Sequence, residues 1–151
     1  MSRQKLDEWA EERLIPVSYS SKKPKETEDE KLYYMQLDCE RYFVITEKIS
    51  RTAIRVANLM LMEVNHFTNI FSGTYEEVEE KLQLSKRPVR EAITELEQVD
   101  FIRRYKNGRY MINPAVAIGC KKDFRPKIFD TYHSLETITA KRKRSGKNAD
   151  R

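Results

Sequence analysis

Residues 74–114 constrain the fold more than any other part of the chain. Thr74 and Glu77 have the spacing of a capping box, in which each side chain accepts a hydrogen bond from a backbone N–H at the start of a helix. We expect this helix to end near Gln83, because Ser85 is a favourable N-cap for a second helix. The pattern therefore predicts two consecutive helices joined by a short turn.

The second helix has an apolar face and an outward face rich in cations. Its apolar residues, at i, i+3, i+4 and i+7, are Val89, Ala92, Ile93 and Leu96. Its start and outer face carry Lys86, Arg87, Arg90, Thr94 and Glu95. Recognition helices present their N-terminal residues to bases and phosphates in the major groove, so these cations have the required position. The alternative is an ordinary solvated face.

A β-hairpin is predicted directly after this helix. The β-prone runs Phe101–Lys106 and Arg109–Ile112 are joined by Asn107-Gly108, a dipeptide that favours a type I′ turn. That turn would pair Tyr105 with Tyr110 and Lys106 with Arg109. Four cations, Arg103, Arg104, Lys106 and Arg109, would then crowd one ribbon. Their repulsion costs stability, and a phosphate backbone would offset that cost.

Helix, turn, helix and hairpin in this order are typical of a winged helix-turn-helix. We therefore predict a mostly α fold with a small β-hairpin wing, of class α+β, that binds double-stranded DNA. The predicted DNA-binding residues are Ser85, Lys86, Arg87, Arg90, Thr94, Arg103, Arg104, Lys106, Asn107 and Arg109.

We divide the chain into four predicted parts. Residues 1–30 form a polar helix and a flexible linker, residues 31–118 the winged domain, residues 119–140 a helical extension, and residues 141–151 a disordered basic tail. Ile49–Val64 is predicted as the first helix of the domain. Leu32–Leu37 and Tyr42–Thr46 are predicted as strands that pair or extend the wing sheet. Residues 119–151 hold ten Lys and Arg against four Asp and Glu, so the tail either attracts phosphate or only aids solubility.

Several classes of protein are disfavoured. Without a stretch of about eighteen apolar residues or a signal-peptide core, we expect a soluble, cytoplasmic protein that does not enter a membrane. Cys39 and Cys120 are not paired in a C-x-x-C motif, and His66 and His133 are far apart in sequence, so we expect free, at least partly buried thiols and no metal or other cofactor. The chain also lacks the His-x-His pair of a nickase and the phosphate loop of an ATPase, so we expect no enzymatic activity.

The segment Asn107–Pro114, NGRYMINP, resembles the "NGxYMINP" segment of the RepL-type plasmid replication proteins of Gram-positive bacteria. Asp100-Phe101-Ile102 matches the "DFI"-like step that precedes it in that family. The resemblance spans about Tyr42 to Leu135, including a basic segment, Gly119–Lys122. It implies an initiator that binds a plasmid origin and recruits host replication proteins.

Two other binding functions remain open. One is a winged-helix transcription regulator, such as a copy-number repressor, and the other is a protein-interaction adaptor. If the chain is an initiator, its partner surface must differ from its DNA face, and the acidic residues Glu76, Glu79 and Glu80 are the candidates, unless they are a plain solvated face. We also expect a homodimer, formed through a helix around Trp9 and the aromatic segment Tyr33–Val44.

Overall fold

Helices and short strands alternate in the computed structural model, which describes residues 35–138, 140 and 141. The elements are β1 (Gln36–Leu37), α1 (Cys39–Thr46), α2 (Arg51–Glu63), β2 (Ile70–Ser72), α3 (Tyr75–Leu82), α4 (Lys86–Gln98), β3 (Ile102–Lys106), β4 (Arg109–Ile112), β5 (Ala117–Ile118), a 3₁₀-helix (Lys122–Phe124) and α5 (Arg125–Ser134). The predicted α+β class is confirmed. The predicted N-terminal helix and linker lie outside the described residues, as does the basic tail beyond Lys141. No helix of the described residues is long and apolar enough to cross a membrane.

Helix α2 is central to the main core. Its N-cap is Ser50, whose hydroxyl accepts a hydrogen bond from the backbone N–H of Ala53. The fully buried side chains of α2 are Ala53, Val56, Ala57 and Met60. They share one helical face and pack with α3, α4 and β2. Glu95 of α4 also accepts hydrogen bonds from the backbone N–H and the hydroxyl of Ser50, so it anchors α2 to α4. The helix predicted within Ile49–Val64 is confirmed.

Helices α3 and α4 follow the predicted pattern with one difference at the second N-cap. The capping box at Thr74 and Glu77 is present, with both reciprocal hydrogen bonds. Helix α3 ends at Leu82, and its C-cap Gln83 has a left-handed backbone, with φ of 55°. Ser85 has N-cap backbone geometry, but its side chain makes no capping hydrogen bond. Pro88, the third helical residue, has no N–H, so one of the two backbone donors that an N-cap oxygen can bond is missing.

The predicted hairpin belongs to a three-stranded antiparallel sheet. Strand β4 lies in the middle, between β2 and β3. Phe71 of β2 lies opposite Tyr110. Lys106 of β3 lies opposite Arg109, as predicted. Strand β2 is contributed by the connection between α2 and α3, so the sheet closes against the helices on one face.

The turn of the hairpin differs from the prediction. Gly108 has a positive φ of 64°, whereas Asn107 does not have a positive φ. A type I′ turn needs positive φ at both residues, so this turn is of another type. A register shift occurs between Arg104 and Lys106, which places Tyr110 opposite Arg104 instead of the predicted Tyr105. Tyr105 is therefore the bulged residue.

Helix α5 covers the second face of the sheet. Side chains alternate along β4, so Tyr110 and Ile112 enter the main core while Met111 faces the other way. Met111 packs in a second cluster with Ile118, Cys120, Ile128 and Tyr132. Helix α5 lies within residues 119–140, for which a helical extension is predicted. Cys120 is a buried free thiol, as expected, but Cys39 is a free thiol that is exposed.

The strand predicted at Tyr42–Thr46 is wrong, because these residues belong to helix α1. Asp38 caps that helix by accepting a hydrogen bond from the backbone N–H of Arg41. Tyr42 and Ile45, three residues apart, then pack on the main core from one helical side. The N-cap and this packing outweigh β propensity, which is strongly context-dependent. Strand β1, within the segment Leu32–Leu37, pairs with β5 in a separate two-stranded sheet and does not extend the wing sheet.

Candidate nucleic-acid interface

Three cations at the start of α4 lie on its exposed side. Lys86, Arg87 and Arg90 are exposed, whereas Val89 on the opposite side is fully buried. The Nε of Arg87 donates to Glu91 at 2.8 Å, and this hydrogen bond raises the pKa of the Arg87 guanidinium. The Arg87 side chain remains 89% exposed. An exposed pair of this kind contributes little to stability, so Arg87 can exchange Glu91 for another anion at small cost.

Ser85 and Thr94 extend this exposed side of α4 in opposite directions along the helix. Ser85 is exposed at the N-cap, where its hydroxyl takes no part in capping. Thr94 is half-buried, and its hydroxyl donates to the carbonyl of Arg90 at 3.0 Å. A hydroxyl so engaged retains acceptor capacity, whereas its hydrogen is already used.

The tip of the hairpin presents Lys106, Asn107 and Arg109 to solvent. The carbonyl of Gly108 accepts a hydrogen bond of 2.8 Å from the backbone N–H of Gly73, immediately before α3. This bond ties the turn to the helical part of the domain. Cations of the hairpin and of α4 thus belong to one connected scaffold.

Arg103 does not belong with these exposed cations, contrary to the prediction. Its side chain is only 12% exposed, and its Nε and Nη2 donate to the two carboxylate oxygens of Asp100 at 2.8 and 3.1 Å. Its Nη1 donates to the carbonyls of Tyr132 and Leu135 at 3.2 and 3.1 Å. Because side chains alternate along a strand, Arg103 shares the α5 face of the sheet with Met111, which lies opposite it. Arg103 therefore joins the hairpin to α5.

Arg104 points to the other face of the sheet, toward α3 and α4. It is half-buried, its Nη2 donates to the hydroxyl of Tyr75 at 3.2 Å, and its Nε lies 3.7 Å from a carboxylate oxygen of Glu97. Its guanidinium also lies 5.6 Å from the ring centroid of Tyr110. Arg104 is thus partly engaged within the domain, in contrast with Lys106 and Arg109.

Asp100 has a structural role that the sequence did not indicate. It follows α4 with a left-handed backbone, with φ of 56°, and it receives hydrogen bonds from three side chains. Arg103 and Tyr132 donate to its carboxylate, and Tyr132 and Asn113 donate to its carbonyl. Burial, followed by the hydrogen bond to Asp100, raises the pKa of Tyr132. An Asp just after a helix was the available signal, since Asp tolerates the left-handed region better than most residues.

The segments that carry the sequence resemblance occupy this hairpin and its exit. A family model described as Firmicute plasmid replication protein (RepL) matches residues 23–150, which is most of the chain. The chain belongs to the RepL family. No curated protein and no solved structure matches it.

Half of the RepL-like segment Asn107–Pro114 is buried in the fold. Along Asn107–Pro114, Tyr110, Met111, Ile112 and Pro114 are buried, and Asn113 bonds the carbonyl of Asp100. Asn107 is exposed at the turn. The motif of this RepL protein is therefore mainly a folding element that supports the cationic surface.

Proposed function

We propose that this RepL protein contains a winged helix-turn-helix domain that binds double-stranded DNA at a plasmid origin. In this proposal α4 is the recognition helix, and the β3–β4 hairpin is the wing. The observation that carries it is the exposure of Lys86, Arg87 and Arg90 at the start of α4, on a scaffold that also exposes Lys106 and Arg109 at the wing.

The proposed mechanism assigns a different task to each basic element. The outward residues of α4 enter the major groove, where Arg and Lys side chains contact guanine edges and phosphates. The first backbone N–H groups of α4 add an attraction for a backbone phosphate. Lys106, Asn107 and Arg109 contact the adjacent backbone or minor groove. Ser85, Thr94 and Arg104 supply further polar contacts, whereas Arg103 is excluded because its donors are engaged within the fold.

We propose that the protein acts at the origin without catalysis. His66 and His133 are the histidines of the sequence, and they do not form the His-x-His pair that a metal-dependent nickase requires. An initiator of this type binds and distorts the duplex and recruits host replication proteins. We propose the acidic side of α3 as the recruiting surface, with Glu76 and Glu80 exposed. Glu79 is half-buried, with one carboxylate oxygen inaccessible to solvent, so it contributes less to this surface.

We propose that the active form is a homodimer. Exposed apolar side chains are present on α1, where Phe43 and Val44 are 62% and 44% exposed. This part of the predicted Tyr33–Val44 contact lies within the described residues, whereas the Trp9 helix does not. Two copies would present two recognition helices to a palindromic or repeated site.

Footprinting on DNA from the plasmid that carries the gene tests the proposal. We expect protection of a discrete site and an affinity that falls steeply with salt, because several phosphate contacts release counterions. Replacing Lys86, Arg87 and Arg90 with Ala should remove the protection. The matched control replaces three exposed cations, Lys121, Lys122 and Lys127, near or on α5. Equal loss in both variants, or weak salt dependence of the wild type, would contradict the proposal. Replication of a plasmid that lacks the gene would favour a copy-number repressor.

A further inference from the structure

Tyr75 lies where the two basic elements of the domain meet. It is the first residue of α3, directly after the Thr74 N-cap, and it is half-buried. The guanidinium of Arg90, from α4, lies 5.5 Å from the centroid of the Tyr75 ring. The guanidinium of Arg104, from β3, donates to the Tyr75 hydroxyl. One tyrosine therefore contacts a cation from each element proposed to bind DNA.

The charges around Tyr75 favour an additional anion. Its contacts bring together two guanidinium groups, Arg90 and Arg104, and the carboxylate of Glu97, which lies 3.7 Å from Arg104. Two cations therefore contact one tyrosine, and one carboxylate lies beside Arg104. Bringing like charges together is unfavourable, and a singly charged anion beside them reverses that cost. A DNA phosphate diester is such an anion, because it carries one negative charge.

The hydrogen-bonding groups also suit a phosphate. The Tyr75 hydroxyl accepts a hydrogen bond from Arg104 and shares another with the Tyr110 hydroxyl, so its oxygen is fixed beside the Arg104 guanidinium. Hydrogen bonds from guanidinium groups to phosphate are charge-assisted and directional. Arg90 is exposed and lies over the aromatic ring, and it forms no ion pair within the part of the chain that the structure describes.

We infer that Tyr75, Arg90 and Arg104 form a binding site for a single phosphate of the DNA backbone at the junction of α4 and the wing. The inference rests on the proposed DNA binding and adds Tyr75 to the predicted contact residues. A phosphate held by α3, α4 and β3 together sets the register of the recognition helix relative to the wing. Tyr75 binds without distinguishing bases, because phosphates carry no sequence information.

Two substitutions distinguish the contribution of the Tyr75 hydroxyl to DNA affinity from that of the Arg104 charge. Tyr75→Phe keeps the ring under Arg90 and removes the hydroxyl, so we expect about 2- to 10-fold weaker binding to specific and random duplexes alike, with an unchanged salt slope. Arg104→Gln removes one charge, so the slope of log affinity against log salt should become shallower by about one. The matched control is Tyr105→Phe, which removes a hydroxyl from the wing outside this group. Urea unfolding of each variant verifies that the fold is retained.

Ethylation of single phosphates identifies the contact directly. In the wild type, ethylating the bound phosphate weakens the complex, and in Tyr75→Phe or Arg104→Gln the same modification should have a smaller effect. If the wild type binds DNA and both variants bind it with the same affinity and the same sensitivity to ethylation, the phosphate site is wrong and the proposed function stands. A wild-type protein that binds no DNA would overturn the proposed function and this site with it.

Discussion

The guanidinium of Arg103 lies 4.4 Å from the ring centroid of Tyr132 and donates to the carbonyl of the same residue. The Tyr132 hydroxyl and Arg103 both donate to the carboxylate of Asp100. These contacts connect the end of α4, the first half of the wing and α5. A cation that the sequence suggests for DNA thus stabilises the support beneath the wing.

Replacing Arg103 should reduce stability more than it reduces DNA affinity. Arg103→Ala removes hydrogen bonds to a carboxylate and to two carbonyls, so we expect a loss of about 2 to 3 kcal/mol in the free energy of unfolding, measured with urea. Arg103→Lys should lose less stability than Arg103→Ala but should remain less stable than the wild type, because an ammonium cannot bond both carboxylate oxygens in the same planar geometry. The exposed Arg109→Ala is the control, with a change within about 0.5 kcal/mol. If Arg103→Ala is as stable as the wild type but no longer binds DNA, Arg103 is a DNA-binding residue, as the sequence predicts.

The stability of the protein should depend on Tyr132 at alkaline pH. Burial, followed by the hydrogen bond to Asp100, raises the pKa of Tyr132 above its ordinary value near 10. Deprotonation of Tyr132 therefore favours the unfolded chain. The stability that the protonated Tyr132 hydroxyl contributes is complete below about pH 10 and is lost as the pH rises further. Tyr132→Phe should be less stable at pH 8, yet should lose about 1.4 kcal/mol less than the wild type between pH 8 and pH 11. Parallel stability curves for the two proteins would contradict this prediction.

Specificity for the DNA site should depend on α4 more than on the wing. If Arg87 contacts base edges, Arg87→Ala should cost about 1 to 3 kcal/mol on the specific site and less on random DNA, whereas Arg90→Ala, at the proposed phosphate site, should weaken both duplexes. Arg109→Ala should weaken both duplexes equally, because we assign it to the backbone. Titration of each variant against both duplexes at one salt concentration measures the difference. Equal losses on both duplexes for Arg87→Ala would remove the recognition-helix assignment.

Reversing the acidic side of α3 should separate replication from DNA binding. Glu76→Lys with Glu80→Lys changes exposed residues only, and we leave Glu79 unchanged because it is half-buried. We expect loss of plasmid maintenance with DNA affinity at least as high as that of the wild type, since the change adds positive charge. The control reverses Asp123 and Asp130, which are exposed near and on α5. Normal plasmid maintenance in the α3 variant would exclude this side as the recruiting surface.

Dimerisation should depend on the apolar residues of α1. Phe43→Asp with Val44→Asp introduces charges at the proposed contact, so we expect a shift from dimer to monomer in sedimentation. Met62→Asp is the control, because Met62 is 80% exposed on α2 and lies outside the proposed contact. Deleting residues 1–30 tests the Trp9 helix in the same assay. An unchanged dimer in the α1 variant would exclude Phe43 and Val44 as its anchor.

Local patterns predicted the helices well and the environment of the wing less well. The capping box at Thr74 and the apolar spacing from Val89 to Leu96 define α3 and α4 through interactions within a few residues. The wing turn was predicted with the wrong type, because Asn107-Gly108 is compatible with more than one turn. Arg103 and Arg104 are adjacent in sequence and equally basic, yet the bulge at Tyr105 and the packing on both sides of the sheet give them separate roles.

By itself the sequence determined helix α2, the order of α3, α4, β3 and β4, and the cations on the outer face of α4, because helical periodicity, capping and turn residues are local properties. It also carried the RepL resemblance, which the family match confirms. Only the tertiary structure decided that Arg103 faces Tyr132 and Arg104 faces Tyr75, since each partner lies 29 residues away along the chain. It also decided that Tyr42–Thr46 is helical, because packing on the core outweighs β propensity. The physical reason is the same in both cases: contacts between distant segments determine which face of an element is buried.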